Sequence, residues 1–576
     1  MGSIAGAGTY YLGAKALTTG VNNLSTTVSG LITGGGLGGG TGGSLTKMGT
    51  GTLTLSGTDT YSGGTVVLQG TLAVASPGAL GTGLVLVNGG TFETGGGPLT
   101  INVGGSYTQS SSGTLQMGLG GTAAGQWDIL KVTGNASLAG TLQVVSDSGF
   151  TPVIGNTFLI LGASGVSGTF SSLANPFTSI RLLPLYGSTG VQLEAIVPSF
   201  SQVALTPNQK VVANLLDQVF LDTSLQNLIA SLGIQSAGSL PGDFDQISPV
   251  GLTPVYKIGF ELARAQALFV GQRMDEIWGG NNLGGSSARA INGDGPMLAA
   301  NMSAEQERAM TKTVSMKNPW DVFVNGNGNF GTVTADSNSP GYQFTTGGLT
   351  AGLDYRLGKD LVGGLLLGYS QTNATQANGG SVNVTGGQAG LYGGWQSQSF
   401  HLEALVDGGM NSYKTSRAGY GGTAQASPQG IQYGGQLGFG YDWQVEDLTL
   451  GPFASGQYTY VQLNGFSEQG SLAPLNLPAQ GQGSLLSDLG ARVSADWTSG
   501  NFVLSPNLSV AWEHQYQGNQ DSLTAGLVTG GNQFSINGPA TGTDAAVVGA
   551  GLSAQFNKGM NAYVQYQGKI GLTNYD

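Results

Sequence analysis

The chain has 576 residues, of which 103 are glycine and only 9% are charged, and its formal net charge is −12. Soluble domains average about 7% glycine and about 25% charged residues, so the composition argues against an ordinary soluble enzyme, and the acidic balance argues against nucleic acid as a partner. The absence of cysteine excludes disulfide scaffolds and thiolate metal sites, and no apolar run approaches the about 18 residues that would predict a membrane-spanning helix.

The first residues, Met1–Gly6, lack the basic and apolar segments of a signal peptide. The chain also begins inside a pattern of glycine, threonine and serine. We therefore expect the sequence to be a trimmed piece of a longer protein.

Residues 1–205 alternate apolar with small polar residues over short runs such as Gly51–Gly57 and Gly83–Phe92. Alternation with a period of two predicts strands with one buried face, and the Gly-Gly and Asn-Gly steps between them predict tight turns. Repetition of this unit predicts a β-solenoid. A flexible low-complexity segment is the alternative, and the regular aliphatic content disfavours it.

Residues 206–280 change to a helical period. Thr206 and Thr253 each precede a proline, which is typical of a capping residue followed by the first helical position. The first helix is predicted to reach Gly233 and the second to run over 254–277. Charged side chains surround the second helix, so it cannot face lipid and suits a polar lumen, although an amphipathic linker helix remains open.

Residues 281–316 show no clear period and predict a loop or a short helix. Residues 317–576 alternate over runs of about ten residues. The clearest runs are Leu349–Leu357, Leu437–Val445, Leu489–Trp497 and Val548–Phe556, in which the apolar face carries no charge and aromatic residues lie near its ends. A charge-free apolar face opposite a glycine-rich polar face predicts an antiparallel transmembrane β-barrel.

We expect eleven barrel strands, near 320–331, 345–357, 361–375, 382–396, 400–415, 431–446, 449–463, 484–498, 502–516, 544–557 and 560–573. The last of them is followed by Asn574–Asp576, which is turn-like. As written, the barrel would have an unpaired edge, which lipid does not tolerate. We therefore expect the natural product to continue with one more strand.

Several segments, in this order, resemble a bacterial autotransporter of the type V secretion class. Gly49–Thr65 with Gly70–Val74 is similar to the autotransporter-associated β-strand repeat, and Asp128–Gly134 with Gly140–Val144 resembles the end of a β-helical passenger. Phe260–Ile277 resembles the helix that these proteins thread through their barrel. Trp320–Gly331 and Gly465–Gly470 resemble parts of the C-terminal barrel domain. Together the segments cover nearly the whole chain.

The resemblance implies an all-β protein: a right-handed β-helix-like passenger segment, linker helices and a transmembrane barrel of the 12-stranded type whose last strand is missing. The implied domains are a passenger at 1–205 with an autochaperone-like part at about 130–191, a linker at 206–280 with a pore helix at 254–277, a loop at 281–316 and an outer-membrane barrel at 317–576. Outer-membrane lipid, the barrel-assembly machinery and periplasmic chaperones are the implied partners, and no cofactor is implied.

The charges of the pore helix require water or charged partners in the lumen. We expect the helix and the polar faces of the strands to contribute the lumen residues Lys257, Glu261, Arg264, Arg273, Asp354, Arg356, Glu403, Arg492 and Asp496.

Three other motifs carry weaker functional hypotheses. Gly326–Gly331 fits a dinucleotide-binding GxGxxG, but it lies inside a predicted strand, where the required helix is missing. His401, Glu403 and Asp407 share one strand face and allow a metal or acid–base site, with a solvated lumen network as the alternative. Asn281 and Asn282 resemble a self-cleavage pair of some autotransporters but follow the helix instead of lying within it.

The preferred function is therefore an outer-membrane translocator that exports and displays its own passenger. The alternative is a surface adhesin or self-associating solenoid whose binding resides in residues 1–200. The only histidines are His401 and His514, so residues 1–400 cannot form a Ser-His-Asp triad or a histidine metal site, and we predict that the chain is not an enzyme. Paired carboxylates need no histidine and remain open.

Overall fold

The computed structural model describes residues 2–36, 38–278, 286–292, 320–358, 360–445, 448–499, 502–556 and 560–571. The chain divides into two compact units, one of residues 1–204 with 213–241 and the other of residues 205–212 with 242–576. The first unit is a β-solenoid with helices, and the second contains the barrel.

The solenoid is built from short strands separated by turns. They are β1 (Tyr10–Tyr11), β2 (Ala16–Thr19), β3 (Thr26–Val28), β4 (Ile32–Thr33), β5 (Ser44–Lys47), β6 (Thr52–Leu55), β7 (Thr65–Val67), β8 (Thr71–Val74), β9 (Val85–Val87), β10 (Thr91–Thr94), β11 (Thr100–Val103), β12 (Tyr107–Gln109), β13 (Thr114–Leu119), β14 (Ile129–Val132), β15 (Asn135–Leu138), β16 (Thr141–Ser146), β17 (Thr157–Gly162), β18 (Gly165–Gly168), β19 (Ser172–Ala174), β20 (Arg181–Tyr186) and β21 (Gly190–Ile196).

Parallel pairing stacks these strands into long sheets. One sheet has the order β19-β16-β13-β10-β8-β6-β3, and another has the order β18-β15-β12-β9-β7-β5-β2. The register places like residues on top of each other, so that Leu53, Leu72 and Phe92 form one internal column. A third sheet, β11-β14-β17-β21-β20, ends in antiparallel pairs. The period-two alternation of residues 1–205 therefore buries one continuous aliphatic core.

Glycine occupies the corners where successive rungs approach most closely. Gly49 and Gly70 both have positive φ angles, of 68° and 66°. A Cβ on Gly70 would lie 2.3 Å from the carbonyl oxygen of Gly49, and one on Gly49 would lie 2.0 Å from that of Gly20. Only glycine combines this backbone conformation with such close stacking.

Helices follow the solenoid: α1 (Pro207–Gln218), α2 (Gln226–Gly233), α3 (Leu240–Ile247) and α4 (Pro254–Trp278), with short 3₁₀ helices at Thr223–Leu225 and Pro249–Leu252. The single helix expected up to Gly233 is wrong, because the Asp222 side chain accepts a hydrogen bond from Ser224 N at 2.9 Å and starts a new helical segment there. Helix α3 was not predicted from the sequence pattern.

The barrel unit contains long antiparallel strands and short extensions. They are β22 (Ser286–Asn292), β23 (Trp320–Val333), β24 (Tyr342–Arg356), β25 (Leu361–Gln376), β26 (Ser381–Ser397), β27 (Phe400–Gly419), β28 (Gly422–Ala426), β29 (Gln429–Tyr441), β30 (Trp443–Val445), β31 (Leu448–Leu463), β32 (Phe466–Ser467), β33 (Leu475–Leu477), β34 (Gln480–Ala495), β35 (Trp497–Ser499), β36 (Phe502–Gln517), β37 (Gln520–Leu527), β38 (Phe534–Ala540), β39 (Asp544–Phe556) and β40 (Met560–Gly571).

The sheet order β26-β25-β24-β23-β22-β40-β39-β36-β34-β31-β29-β27 returns on itself through the pairing of β26 with β27. The eleven predicted barrel strands all coincide with long strands of this ring. Leu349, Leu437 and Leu489 are 52%, 62% and 59% exposed, so the apolar faces point outward as expected.

Two expectations about the barrel are corrected. Residues 286–292, which were expected to be part of a loop, form β22, and the first and last long strands are not left with free edges. β22 pairs in parallel with both β23 and β40 and occupies the twelfth place in the ring. The physical reason is that an unpaired row of backbone groups in lipid costs several kcal/mol per group, so a nearby segment that satisfies them is favoured even in parallel orientation.

Candidate functional site in the barrel lumen

Helix α4 begins directly after a capped 3₁₀ turn. Ser248 accepts a hydrogen bond from Val250 N at 3.3 Å, and Pro254 takes the first helical position, where its missing N–H is not needed. Almost every described side chain of α4 is buried, including Lys257, Arg264 and Arg273. None of the helices that the structure describes has the length and apolar character that a membrane span requires.

The helix packs against the inward faces of the barrel strands through two apolar clusters. Val255, Ile258 and Leu262 pack with a group of lumen-facing residues from β23–β27 and β31: Val333, Tyr342, Phe344, Ala374, Val382, Val384, Tyr413 and Leu463. Ala267, Phe269, Val270, Met274 and Ile277 pack farther along with Phe323, Val362, Leu366, Tyr392 and Leu405. Because inward-facing residues of several strands surround the same helix, α4 lies inside the barrel.

Arg264 carries the middle ion-pair cluster. Its guanidinium contacts the Glu513 carboxylate and lies 3.7 Å from Asp488, and Lys569 Nζ lies 2.5 Å from the other Glu513 oxygen. Glu513 is 1% exposed. A carboxylate buried this deeply requires a cationic partner, and the helix supplies one.

Arg273 carries a second cluster, two turns of helix farther along. Its Nε donates to Asp354 Oδ2 at 2.8 Å and its Nη2 donates to Asp321 Oδ2 at 2.6 Å. Tyr392 also donates its hydroxyl to Asp354. The guanidinium lies 5.1 Å from the centre of the Phe323 ring, so a cation–π contact supports the same geometry.

Arg492 of β34 forms a third cluster, in which the strand supplies the cation and the helix supplies an anion. Its guanidinium contacts Asp275 of the helix and binds Asp442 with N–O distances of 2.8 and 3.2 Å. His401 Nε2 lies 3.3 Å from the same guanidinium. The helix therefore contributes both cations and an anion to the lumen.

The structure places the predicted lumen residues in different roles. Lys257 and Glu261 pair with each other along α4 at 3.1 Å, and Arg356 donates to the Ile277 carbonyl at 3.4 Å. Glu403 reaches the helix at Gly271, where a Cβ would lie 3.1 Å from its carboxylate. Asp496 differs: it is exposed, and its recorded partner is Ser505 instead of a helix residue.

Of the charged partners in the three clusters, only Asp354 is among the predicted lumen residues, and six were missed: Asp275, Asp321, Asp442, Asp488, Glu513 and Lys569. Each strand residue of this set occupies a charged position on the polar face of an alternating run, which was the available signal. What the alternation does not reveal is which of these charges lies opposite a given helix residue.

The weaker motifs give no additional site. Gly326–Gly331 lies within β23, and His401, Glu403 and Asp407 lie on the inward face of β27. In the described part of the chain no group of three or more histidine or acidic side chains is arranged to hold a metal ion. Asn281 and Asn282 lie outside the described residues.

Comparison with known proteins matches two segments of the chain to family models. The family model described as "Autotransporter beta-domain" matches residues 322–567, and "Passenger-associated-transport-repeat" matches residues 45–74. Two extracellular serine proteases of Serratia marcescens are 26% and 25% identical to the chain over 93% of its length, and the chain spans 55% of each. The adhesin BmaC autotransporter of Brucella suis biovar 1 (strain 1330) is 31% identical over 30% of the chain and 6% of its own length.

Two of the solved structures similar to this chain are domains of proteins named as autotransporters. The beta domain of the Bordetella autotransporter BrkA is 21% identical with a TM-score of 0.35, covering 44% of this chain and 92% of its own. The translocator domain of NalP from Neisseria meningitidis is 16% identical with a TM-score of 0.35, covering 43% of this chain and 82% of its own.

The prediction that the chain is not an enzyme is wrong as a general exclusion. The two relatives that align over 93% of the chain are extracellular serine proteases, so the histidine count of residues 1–400 does not exclude an enzymatic passenger. The beta-domain match and the outward apolar face of the ring agree on a membrane-embedded barrel. The chain carries an autotransporter beta-domain at residues 322–567, preceded by a β-solenoid that contains a passenger-associated-transport repeat at residues 45–74.

Proposed function

We propose that the chain is an outer-membrane translocator that exports and displays its solenoid, that α4 is the segment that remains in the pore after export, and that the ion pairs of the lumen hold it there. The observation that carries this proposal is the set of clusters centred on Arg264, Arg273 and Arg492, each of which joins α4 to barrel strands. A helix with charges on several sides is excluded from lipid, and only a lumen with complementary charges accommodates it.

Whole-cell proteolysis tests this proposal. In cells that display the chain, added proteinase K should digest residues 1–204 while the outer membrane is intact, and a protected fragment containing 254–571 should remain. Mass spectrometry of that fragment gives its first residue. Protection of the solenoid until the outer membrane is lysed would contradict export, and a protected fragment that lacks α4 would contradict its retention in the pore.

Insertion of the barrel is proposed to use the barrel-assembly machinery and periplasmic chaperones. Depletion of the assembly machinery should then reduce the protected fragment. Unchanged fragment yield under depletion would argue for spontaneous insertion.

A second candidate function concerns the cargo: the solenoid carries a serine protease to the cell surface. The alignment of the extracellular serine proteases with 93% of the chain favours this cargo over an adhesin, because the adhesin relative aligns with only 30%. The solenoid contains no histidine, so residues outside it would have to supply a catalytic base. Casein hydrolysis by cells expressing the natural polypeptide, abolished by a serine-directed inhibitor, is the expected result, and inhibitor-resistant or absent hydrolysis would exclude this cargo.

A further inference from the structure

One wall of the lumen carries polar side chains that the ion-pair clusters do not use. Ser370 of β25, Gln388 of β26, and Asp407 and Asn411 of β27 are 7%, 5%, 8% and 2% exposed. Ser370 Oγ, Gln388 Oε1, Asp407 Oδ2 and Asn411 Oδ1 have no hydrogen-bond partner among the residues that the structure describes. We call these four residues the acceptor face.

Strand register makes the acceptor face continuous. Ser370 and Asn411 both lie opposite Gly386, and a Cβ on that glycine would sit 3.3 Å from Ser370 Oγ and 2.3 Å from Asn411 Oδ1. Gln388 lies opposite Gly409, and Asp407 lies opposite Gly390. Each polar side chain therefore extends over a neighbouring glycine, and the oxygen atoms follow one another along the strands.

The unpartnered atoms of the acceptor face are all oxygens. A buried polar atom without a hydrogen bond is destabilising, and an unpaired buried carboxylate is more so. Four such atoms along one wall are therefore expected to contact water or a cation, since both satisfy acceptors.

Charge decides between these two partners. Asp407 and Glu403 lie four residues apart on the inward face of β27, and neither forms an ion pair with a described residue. The neighbouring guanidinium groups are already committed, Arg492 to Asp442 and Asp275, and Arg264 to Glu513 and Asp488. The wall therefore holds two buried carboxyl groups that form no ion pair with a described protein cation, which favours a cation in addition to water.

Small side chains on one face of α4 bring the helix close to the barrel wall. Gly259, Ala263, Ala267 and Gly271 recur every four residues along α4, so they form a stripe of small side chains on one face of the helix. Contacts at both ends direct this stripe toward β27 and β31: a Cβ on Gly259 would lie 2.6 Å from Val461, and one on Gly271 would lie 3.1 Å from Glu403.

We propose that the acceptor face, together with Glu403, is a hydrated binding region for small monovalent cations beside the plugged helix, and that ions reach it from solution while α4 is in place. The site selects by charge: it takes a hydrated alkali-metal ion or a small organic cation and repels anions.

Cysteine reactivity tests the proposal directly, because the chain has no cysteine of its own. Ser370→Cys is prepared in the full chain, reconstituted in liposomes and reacted with a cationic trimethylammonium methanethiosulfonate or an anionic sulfonate methanethiosulfonate. Ala389→Cys is the matched control, since Ala389 is on the outward face of β26 beside Gln388. The cationic reagent should modify Ser370→Cys roughly tenfold or more faster than the anionic one, and Ala389→Cys should react with neither.

Neutralising the two carboxyl groups should abolish the preference of the introduced cysteine for the cationic reagent. Adding Asp407→Asn and Glu403→Gln to Ser370→Cys is expected to bring the two rates within about twofold of each other, whereas Glu93→Gln with Glu194→Gln, which neutralises two carboxylates of the solenoid, should leave the ratio unchanged. Each variant is first shown to retain heat-modifiable migration, and Gln388→Cys replaces Ser370→Cys if the latter does not assemble.

The outcomes separate cleanly. No modification of Ser370→Cys or Gln388→Cys in assembled barrels would overturn the hydrated region. Modification at equal rates by both reagents, or a charge preference that survives the double neutralisation, would overturn cation binding.

Discussion

At the scale of single residues, backbone groups of the solenoid satisfy buried charged side chains fully or in part. Lys47 is 1% exposed, and its Nζ donates to the carbonyls of Met48, Gly49 and Gln69 at 2.8, 2.8 and 3.2 Å. Asp59 accepts a hydrogen bond from Ile32 N at 2.7 Å, but its second carboxylate oxygen has no partner among the described residues. Burial therefore raises the pKa of Asp59 to about 6.

This shift predicts a pH dependence of local stability. A raised folded-state pKa contributes stability that is complete below the unfolded value near 4 and is lost as the pH rises through about 6. Hydrogen exchange at Ile32 in the full chain, corrected for intrinsic rates, should show tighter protection at pH 5 than at pH 7.5, by about 1–2 kcal/mol after allowance for solvent screening.

Asp59→Asn keeps the acceptor for Ile32 N and removes the charge. The difference between this variant and the natural chain, taken at each pH, cancels the titration of all other groups. Protection in Asp59→Asn that still falls between pH 5 and pH 7.5 as steeply as in the natural chain would show that Asp59 is not the source.

At the scale of elements, α4 is held by charge as much as by apolar packing. Its small residues allow a close approach to the wall, and its arginines pair with carboxylates that would otherwise be buried and unpaired. Removing one partner of a buried pair is more costly than the pair itself contributes, because it leaves a charge without compensation.

Arg264→Met should therefore destabilise the barrel strongly. Methionine keeps most of the side-chain volume. Glu513 then has only Lys569 as a cationic partner, and Asp488 loses the nearby guanidinium of Arg264. The expected cost in the free energy of unfolding is about 3–5 kcal/mol. The measurement is the temperature at which the heat-modifiable band disappears in detergent. Lys414→Met, which removes an exposed charge from β27, is the control and should behave as the natural chain. Equal shifts in both variants would indicate that net charge, not the pairing, determines stability.

At the scale of the whole barrel, closure depends on a strand that joins the ring in parallel. β22 places Ala288 opposite Gly326 of β23 and opposite Val564 of β40. Bacterial barrels are otherwise antiparallel with an even strand count, so this seam is the least regular part of the ring. β22 nevertheless pairs with the backbone groups along the facing edges of β23 and β40.

Cross-linking tests the seam. Oxidation of the Ala288→Cys/Gly326→Cys variant in membranes should give an intrachain disulfide, because registered residues on neighbouring strands lie close enough for one. Ala288→Cys with Val322→Cys, shifted by four residues along β23, should not cross-link. Cross-linking of the shifted pair, or of neither pair, would show that β22 does not occupy this position.

The sequence by itself determined the local architecture: the solenoid strands, the charged helix over 254–277 and all eleven long barrel strands. These follow from periods of two and 3.6 residues, which any short window of sequence contains. It also predicted several lumen residues, among them Arg264, Arg273 and Asp354, because a charged helix cannot face lipid and charges on an alternating strand fall on one face. The break at Asp222 was missed because side-chain capping competes with helical periodicity.

Only the tertiary structure decided which partner each charge receives. Arg264 meets Glu513, Arg273 meets Asp321 and Arg492 meets Asp275 because strand register and the rotation of α4 place them together, and these are properties of residues far apart in the chain. The same holds for β22, whose pairing depends on the edges of β23 and β40, and for the acceptor face, which exists only because three strands align their polar residues over glycines. Periodicity fixes which face a side chain occupies, whereas register fixes its neighbour.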